Sequence, residues 1–473
     1  MRKTMKVPAD PGSLSREELI KLVRQLVELV QAQQAELEEH RRAAKRQAAP
    51  FSKGRKKGEH RRPGRRPGEG PFAFREPPSP ESVTDFVDVP PPSGCPDCGG
   101  ELELDHFEDA YTTDLPEPKP KVTRFRSAVC RCKKCGCGDV RGRHPDLAPD
   151  QRGVTAHRVG PAAMAAAHAM HYGYGVTVRK TVPILKELAG IQVTQSAITQ
   201  DALRRAEREP LKTKYQALRD SVRKSPVAQT DDTGWRKNGK PAQLMVFATP
   251  DTPLEPGVTV YQVRDQHRNE EVREVIPADY GGTMVTDRGR AYDAKELNDV
   301  KQQKCIFHVG RSIDAVLETK TGAARDFGEL LIQYLGDALS AWHDYHAGRR
   351  AGYDGRSARI DQTVTFLLRP RQLTDADNQR LLDELGRHQA RGNLLRFLKD
   401  PNIPPTNNLS EQELRLAVQA RKVSHCSKND RGAAAHESHS SVIRTELRKK
   451  PGSLVDGVRR IYIGATPQAP QPP

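Results

Sequence analysis

Three acidic segments and one cysteine cluster hold the residue types able to do chemistry in this 473-residue chain. Asp231 and Asp232 follow the short apolar approach Pro226–Thr230, and Asp287 closes the run Thr283–Thr286. Glu411 falls in the first turn of a helix read over Ser410–Ala420, with Asn408 or Ser410 as its cap. Carboxylates at the ends of neighbouring strands can converge with a helix-borne Glu and together hold two Mg²⁺ (or Mn²⁺) ions about 3.5–4 Å apart. Such a pair activates a water or a DNA 3′-hydroxyl and stabilises the leaving oxygen of a phosphodiester. Asp231, Asp287 and Glu411 are therefore the expected catalytic and metal-binding residues, although each alone also fits an ordinary turn or helix start. Asp232, Asp293 and Glu413 are the neighbouring alternatives. Successive strand residues face opposite ways, so Asp231 and Asp232 are not expected to share one metal site.

Six of the eight cysteines lie between Cys95 and Cys137. Cys95-Pro-Asp-Cys98-Gly and Cys132-Lys-Lys-Cys135-Gly repeat one spacing, in which the glycine permits the tight turn that aims two thiolates at one ion. Four thiolates about 2.3 Å from the metal make a closed, structural Zn²⁺ site. Cys95, Cys98, Cys132 and Cys135 are its expected ligands, with Cys130 and Cys137 as alternatives for the second pair. Cys305 and His308 have a ligand-like spacing but no second pair nearby, and read as a packed thiol and a hydrogen-bonded or DNA-contacting imidazole.

The elements that must position these groups follow from the rest of the chain. Residues 1–47 are expected to be a coiled-coil region, with Leu19, Leu22, Leu26 and Leu29 on one helix face. Residues 48–93 are a basic, then Pro-rich, linker in which Arg55, Lys56, Lys57, Arg61, Arg62, Arg65 and Arg66 form an arm for DNA phosphate. The zinc module covers 94–150 and a helical, DNA-binding domain 151–225, where Gly190–Thr194 joins two helical patterns as in a helix-turn-helix. From 226 the texture is α/β, with strands read at Leu244–Ala248, Val258–Val263, Thr283–Thr286 and Lys304–Phe307. The core spans 226–320 and 401–465, a helical insertion fills 321–400, and 466–473 is a disordered tail. The net charge of +16 suits a polyanionic partner. No apolar run approaches the roughly 20 residues a membrane helix needs, and no secretory signal is read at the N-terminus, so a cytoplasmic protein that works on DNA is expected.

Taken together, the chain resembles the insertion-sequence-66 family of bacterial transposases from the leucine-bearing helix to about Val458. The family's Asp-Glu-Thr appears as Asp231-Asp232-Thr233, followed by Gly234 and Trp235. Asp287, Gly289 and Tyr292 fit its second motif loosely, and Cys305, His308 and Arg311 keep a Cys-x-x-His-x-x-Arg pattern. Asn407, Asn408, Glu411, Arg415, Arg421 and Lys422 match its third motif, with Gln412 in place of an arginine. The resemblance implies a multidomain α/β protein whose ribonuclease H-like core carries a helical insertion and an Asp231–Asp287–Glu411 triad. The expected activity is cleavage and joining of double-stranded DNA at element ends and target. DNA contacts are expected from His308, Arg311, Asn408, Arg415, Arg421 and Lys422. A homodimer or higher oligomer and small accessory transposition proteins are the further expected partners. Two other readings use the same residues: a DNA-binding regulator without chemistry, and a nuclease that cuts but does not join.

Deleting residues 1–70 should weaken binding to element-end DNA and flatten its salt dependence, because each phosphate contact adds about 0.9 to the slope of log K against log salt. Binding titrations across salt concentrations check this; an unchanged slope would remove the basic arm from the interface.

Overall fold

The computed structural model describes residues 15–17, 20, 23, 76–148, 150–253, 255–424, 426–449 and 452–464. The expected coiled coil lies almost wholly outside these residues, and the basic arm, Arg55 to Arg66, and the tail from 466 entirely so. The chain divides into two units, Met1–Leu115 and Pro116–Pro473. In the first, residues 76–115 are mostly extended and exposed, with a 3-10 turn at Pro80–Ser82 and a tight turn at Cys95–Gly100. In the second, β1 (Val129–Cys130) and β2 (Val140–Arg141) form a small antiparallel ladder.

Four helices follow: α1 (Pro161–His168), α2 (Val178–Ala189), α3 (Gln195–Ala206) and α4 (Leu211–Lys224). The second of the two helical patterns joined by Gly190–Thr194 is broken between α3 and α4, where Pro210 offers no N–H to continue the ladder. Gly190 ends α2 at φ +63°, and a Cβ there would meet the carbonyl of Pro118 at 2.5 Å, so this turn requires glycine.

The sheet comprises β3 (Val227–Lys237), β4 (Lys240–Ala248), β5 (Thr259–Arg264), β6 (Thr283–Thr286) and β7 (Lys301–Lys304), in the order β5-β4-β3-β6-β7. The first three run antiparallel as a meander, and β6 and β7 join β3 in parallel. This mixed five-stranded sheet is compatible with the ribonuclease H-like core expected from the sequence. A short α5 (Asn269–Arg273) sits between β5 and β6. After β7 come α6 (Ile306–Leu317), then α7 (Asp326–His346), α8 (Tyr353–Leu367), α9 (Ala376–Ala390) and α10 (Arg396–Lys399), where the helical insertion is expected. The chain returns through α11 (Asn408–Ser424), α12 (Asp430–Arg448) and α13 (Leu454–Ile463).

Two strand expectations need correction. Asp231 does not end a short strand: β3 runs on to Lys237 and turns at Asn238 and Gly239, φ 55° and 72°, into β4. Two consecutive positive φ values are what a tight hairpin turn demands. Lys304–Phe307 is not a strand either. The strand is Lys301–Lys304, and Ile306 and Phe307 open α6. Lys-Gln-Gln-Lys is a poor strand signal, yet Gln303 is buried because its amide donates to Leu394 O at 2.8 Å, and Gln302 because its amide donates to Tyr292 O at 2.8 Å.

Each sheet face has its own cover. Ala228, Met245, Phe247, Val260 and Met284 pack on one side with Leu218 and Val222 of α4 and Val442 and Ile443 of α12. The opposite face carries two separate clusters. Trp235, Leu244, Val246 and Tyr261 meet Leu414 and Ala417 of α11, while Val227 and Val285 meet Ile306 and Val309 of α6 and the insertion helices.

The helices before the sheet share a core with those at the chain's end. His168 Nδ1 and His439 Nδ1 lie 2.7 and 2.8 Å from Tyr462 Oη, and His439 Nε2 reaches Ala202 O at 3.0 Å. That network joins α1, α3, α12 and α13. Burial pushes His168 down to about 3 and His439 well below the ordinary histidine range. A depressed folded-state value means that the unfolded chain takes up protons first. The stabilisation is complete above pH about 6.5 and is lost as pH falls below it, at about 1.4 kcal/mol per pH unit for each buried neutral ring. Urea titrations at pH 7 and pH 5 should therefore show a clear loss of stability, and His168→Phe should shrink the pH 5 deficit. An equal deficit in the variant would show that this histidine does not contribute.

Candidate active site

Strand pairing sets up the acids. In the parallel pair β3–β6, Gln229 lies opposite Val285. Two residues further along each chain come Asp231 and Asp287, so the register carries both carboxylates to the same level. Asp231 follows Gln229 on the face that carries Val227 and Trp235, in the seam between the two apolar clusters there. Glu411 stands in the first turn of α11, the helix covering that face. The register thus sets Asp231 and Asp287 at one level, and the Asp287 and Glu411 carboxylates both lie near enough to act electrostatically on Asp231.

The start of α11 is fixed from the strand. Leu409 N–H donates to Gln229 Oε1 at 3.0 Å, so a buried side chain 180 residues away meets a helix-terminal donor. Neither Asn408 nor Ser410 does this: Ser410 Oγ donates back to Asn407 O at 2.8 Å. At the second motif, Gly289 N–H donates to Asp287 Oδ1 at 2.8 Å, and a Cβ at Gly289 would sit 3.0 Å from that oxygen. Tyr292 is fully buried beneath, with its hydroxyl 3.4 Å from Thr230 Oγ1.

Burial pushes the Asp231 carboxyl up to about 8; the Asp232 N–H opposes this at 2.9 Å, and the carboxylates of Asp232, Asp287 and Glu411 add to it. Carboxylate oxygens are the ligand type that Mg²⁺ and Mn²⁺ take; among the described residues, the groups whose ligand atoms all lie within 4.8 Å of one another do not include Asp231 or Asp287.

The neighbouring acids have other partners. Asp232 turns to the opposite face, where His267 Nδ1 lies 3.3 Å from its carboxylate. Asp293 pairs at 2.7 Å with the buried Lys304, and Glu413 is held by Arg444 at 2.8 and 2.9 Å. His267 is a site neighbour that sequence reasoning missed. Nothing in its spacing marks it, since the β5–β6 connection alone brings it to Asp232.

Of the expected DNA-contacting residues, Arg311 on α6 and Asn408, Arg415 and Lys422 on α11 are exposed. His308 is half-buried, 3.8 Å from Glu411. Arg421 donates to Gly234 O at 2.5 Å and to Thr233 Oγ1 at 3.0 Å, tying α11 to β3. In the first unit, Gly99 N–H donates to Cys95 O at 2.8 Å. In the second, Gly136 N–H donates to Cys132 O at 2.9 Å. Both glycines have φ near 74° (74° and 73°), so the two halves adopt one knuckle turn. Cys137 joins Cys132 and Cys135 with ligand atoms within 4.8 Å, whereas Cys130 lies in β1.

The model of the transposase IS66 family matches residues 157–435, which contain all three acids and both sheet halves. The chain belongs to the IS66 transposase family. No curated protein matches it. Membership implies a nuclease or transferase activity on DNA and the use of a divalent metal. Among the described residues, no helix is long and apolar enough to cross a membrane.

Replacing Gln229 by Ala should leave the half-buried Leu409 N–H without its partner, at a cost of about 1 kcal/mol. Urea denaturation monitored by the fluorescence of Trp235 and Trp342 would register this as a lower midpoint; an unchanged midpoint would mean that the helix start is held elsewhere.

Proposed function

We propose that this chain is the catalytic transposase of an insertion sequence, which cleaves element ends and joins them to target DNA, with Asp231, Asp287 and Glu411 holding two Mg²⁺ (or Mn²⁺) ions. The observation that carries the reading is the convergence of these acids: Asp231 and Asp287 at one level of a parallel strand pair, Glu411 in the first turn of the helix above them. When bound, the ions supply a nucleophile of lowered pKa and charge stabilisation for the leaving oxygen.

The chain's own residues then orient and exclude. Strands β3 and β6 hold two carboxylates on rigid backbone, and the Gln229 side chain fixes the third by capping α11. Asp232 stays on the other face with His267 and does not compete for the same ion. Arg415 lies four residues beyond Glu411 on α11 and is exposed on the helix that carries the acid. With Arg311 it offers guanidinium groups for the phosphates that flank a scissile bond. The grouped thiols of Cys132, Cys135 and Cys137 support a structural Zn²⁺ module at the second cysteine knuckle. The basic arm adds affinity for phosphate without reading bases.

The deciding experiment is a cleavage and strand-transfer assay on a duplex carrying the element's own end, with Mg²⁺ or Mn²⁺. Wild-type protein should nick the end and join it. Asp231→Ala, Asp287→Ala and Glu411→Gln should each lose about a thousandfold or more in rate, since a divalent ion contributes several kcal/mol at the transition state. End binding should persist in all three, because each variant removes negative charge from a site that meets phosphate. Full cleavage in any one variant would take that residue out of the triad. Tight end binding with no cleavage by wild type, even with the accessory proteins added, would favour the regulator; nicking without joining would favour the nuclease.

A further inference from the structure

Cys305 stands at the start of α6, fully buried, and His308 follows three residues on. The Cys305 thiol, a His308 ring nitrogen and a Glu411 carboxylate oxygen all lie within 4.8 Å of one another. His308 Nδ1 is 3.8 Å from Glu411 Oε1, which is too long for a hydrogen bond. That nitrogen is buried and has no hydrogen-bond partner. Buried polar atoms almost always have one, so an orphan aimed at a thiol and a carboxylate calls for a reason. The packed-cysteine reading of the sequence leaves it unexplained.

The cluster is also rigidly assembled. Cys305 N–H donates to Thr286 O at 2.7 Å, which ties it to the strand that leads into Asp287. Ile306 N–H donates to Pro405 O at 3.0 Å, which ties it to the segment that leads into Glu411. Two separate stretches of chain, the start of α6 and the first turn of α11, therefore present one sulfur, one imidazole nitrogen and one carboxylate oxygen to a common point.

We propose that Cys305, His308 and Glu411 form a binding site for a thiophilic divalent transition metal, Zn²⁺ in the first instance, separate from the cysteine knuckles. A mixed S/N/O set favours Zn²⁺, whereas Mg²⁺ takes oxygen ligands alone. Three protein ligands leave the fourth tetrahedral position to water or to a DNA oxygen. Because Glu411 is shared, Zn²⁺ here draws its carboxylate away from the triad and opposes Mg²⁺-dependent cleavage. That consequence rests on the function proposed above; the metal site itself does not.

The test is Co²⁺ titration of full-length protein already saturated in its cysteine module, read by thiolate-to-cobalt absorption in the near ultraviolet, with Zn²⁺ competition. Wild type should take up one further equivalent with a thiolate band. Cys305→Ser should lose the band, and His308→Asn should weaken uptake at least tenfold. His308 is only half-buried, so its variant keeps the test open if Cys305→Ser fails to fold. No further uptake by wild type, or uptake with the same band and affinity in His308→Asn, would overturn the proposal. A second arm measures cleavage with Mg²⁺ in the presence and absence of Zn²⁺. Inhibition in wild type that is relieved in His308→Asn supports the shared carboxylate, and equal inhibition in both refutes it. Zinc uptake by a protein that cleaves nothing would leave the metal site standing and remove the proposed function. Cleavage without zinc uptake would do the reverse.

Discussion

Like charges brought together out of water repel, and this fold holds Asp231, Asp287 and Glu411 together all the same. Burial is the largest influence on Asp231, whose carboxyl is pushed up to about 8, and the neighbouring acids push in the same direction. A site of this kind exists only if the surrounding structure fixes each acid independently. Two strands, a helix and the bonds between them do so. The apolar clusters flanking the seam supply the cohesion, and neither needs the acids for its own packing.

The insertion is fastened to the same seam. Arg288, the residue after the second acid, reaches Glu384 of α9 at 2.7 Å and also meets Ser312 of α6. Asp293 lies between Lys304 at 2.7 Å and His388 of α9 at 3.8 Å. The insertion between the second and third acids thus returns, through α9, to grip the loop that follows the second. The return path from α10 to α11 then begins where the strand pair has already been set. This is how an insertion of such length leaves the spacing of the acids undisturbed.

The local settings of two acids were legible in the sequence: Thr283–Thr286 as a strand before Asp287, and a helical pattern around Glu411. The hairpin after Asp231 was also legible in principle, through Asn238-Gly239, but the acidic stretch masked the continuing strand. Strand β7 was not, because Lys-Gln-Gln-Lys carries no apolar pattern and is buried only through side-chain hydrogen bonds to distant carbonyls. The same holds for the Gln229 cap, the His267 contact and the pairing of Glu413 with Arg444. Each depends on a partner that chain topology alone delivers, 180 residues away in the case of Leu409. Local chemistry could be read along the chain; the devices that hold it in place could not.

The bond between His168 and Tyr462 spans 294 residues. Contacts of such separation form late, because a long loop must be closed before they reward the chain. Until Tyr462 emerges from the ribosome, α1, α3 and α12 lack the hydroxyl around which their buried histidines are arranged. The strands and acids can be synthesised long before that, but the core behind them is completed only when Tyr462 is in place. Assembly of this fold is accordingly an event of the finished polypeptide, and a chain cut short before α13 forfeits the closure of its first helices along with its last.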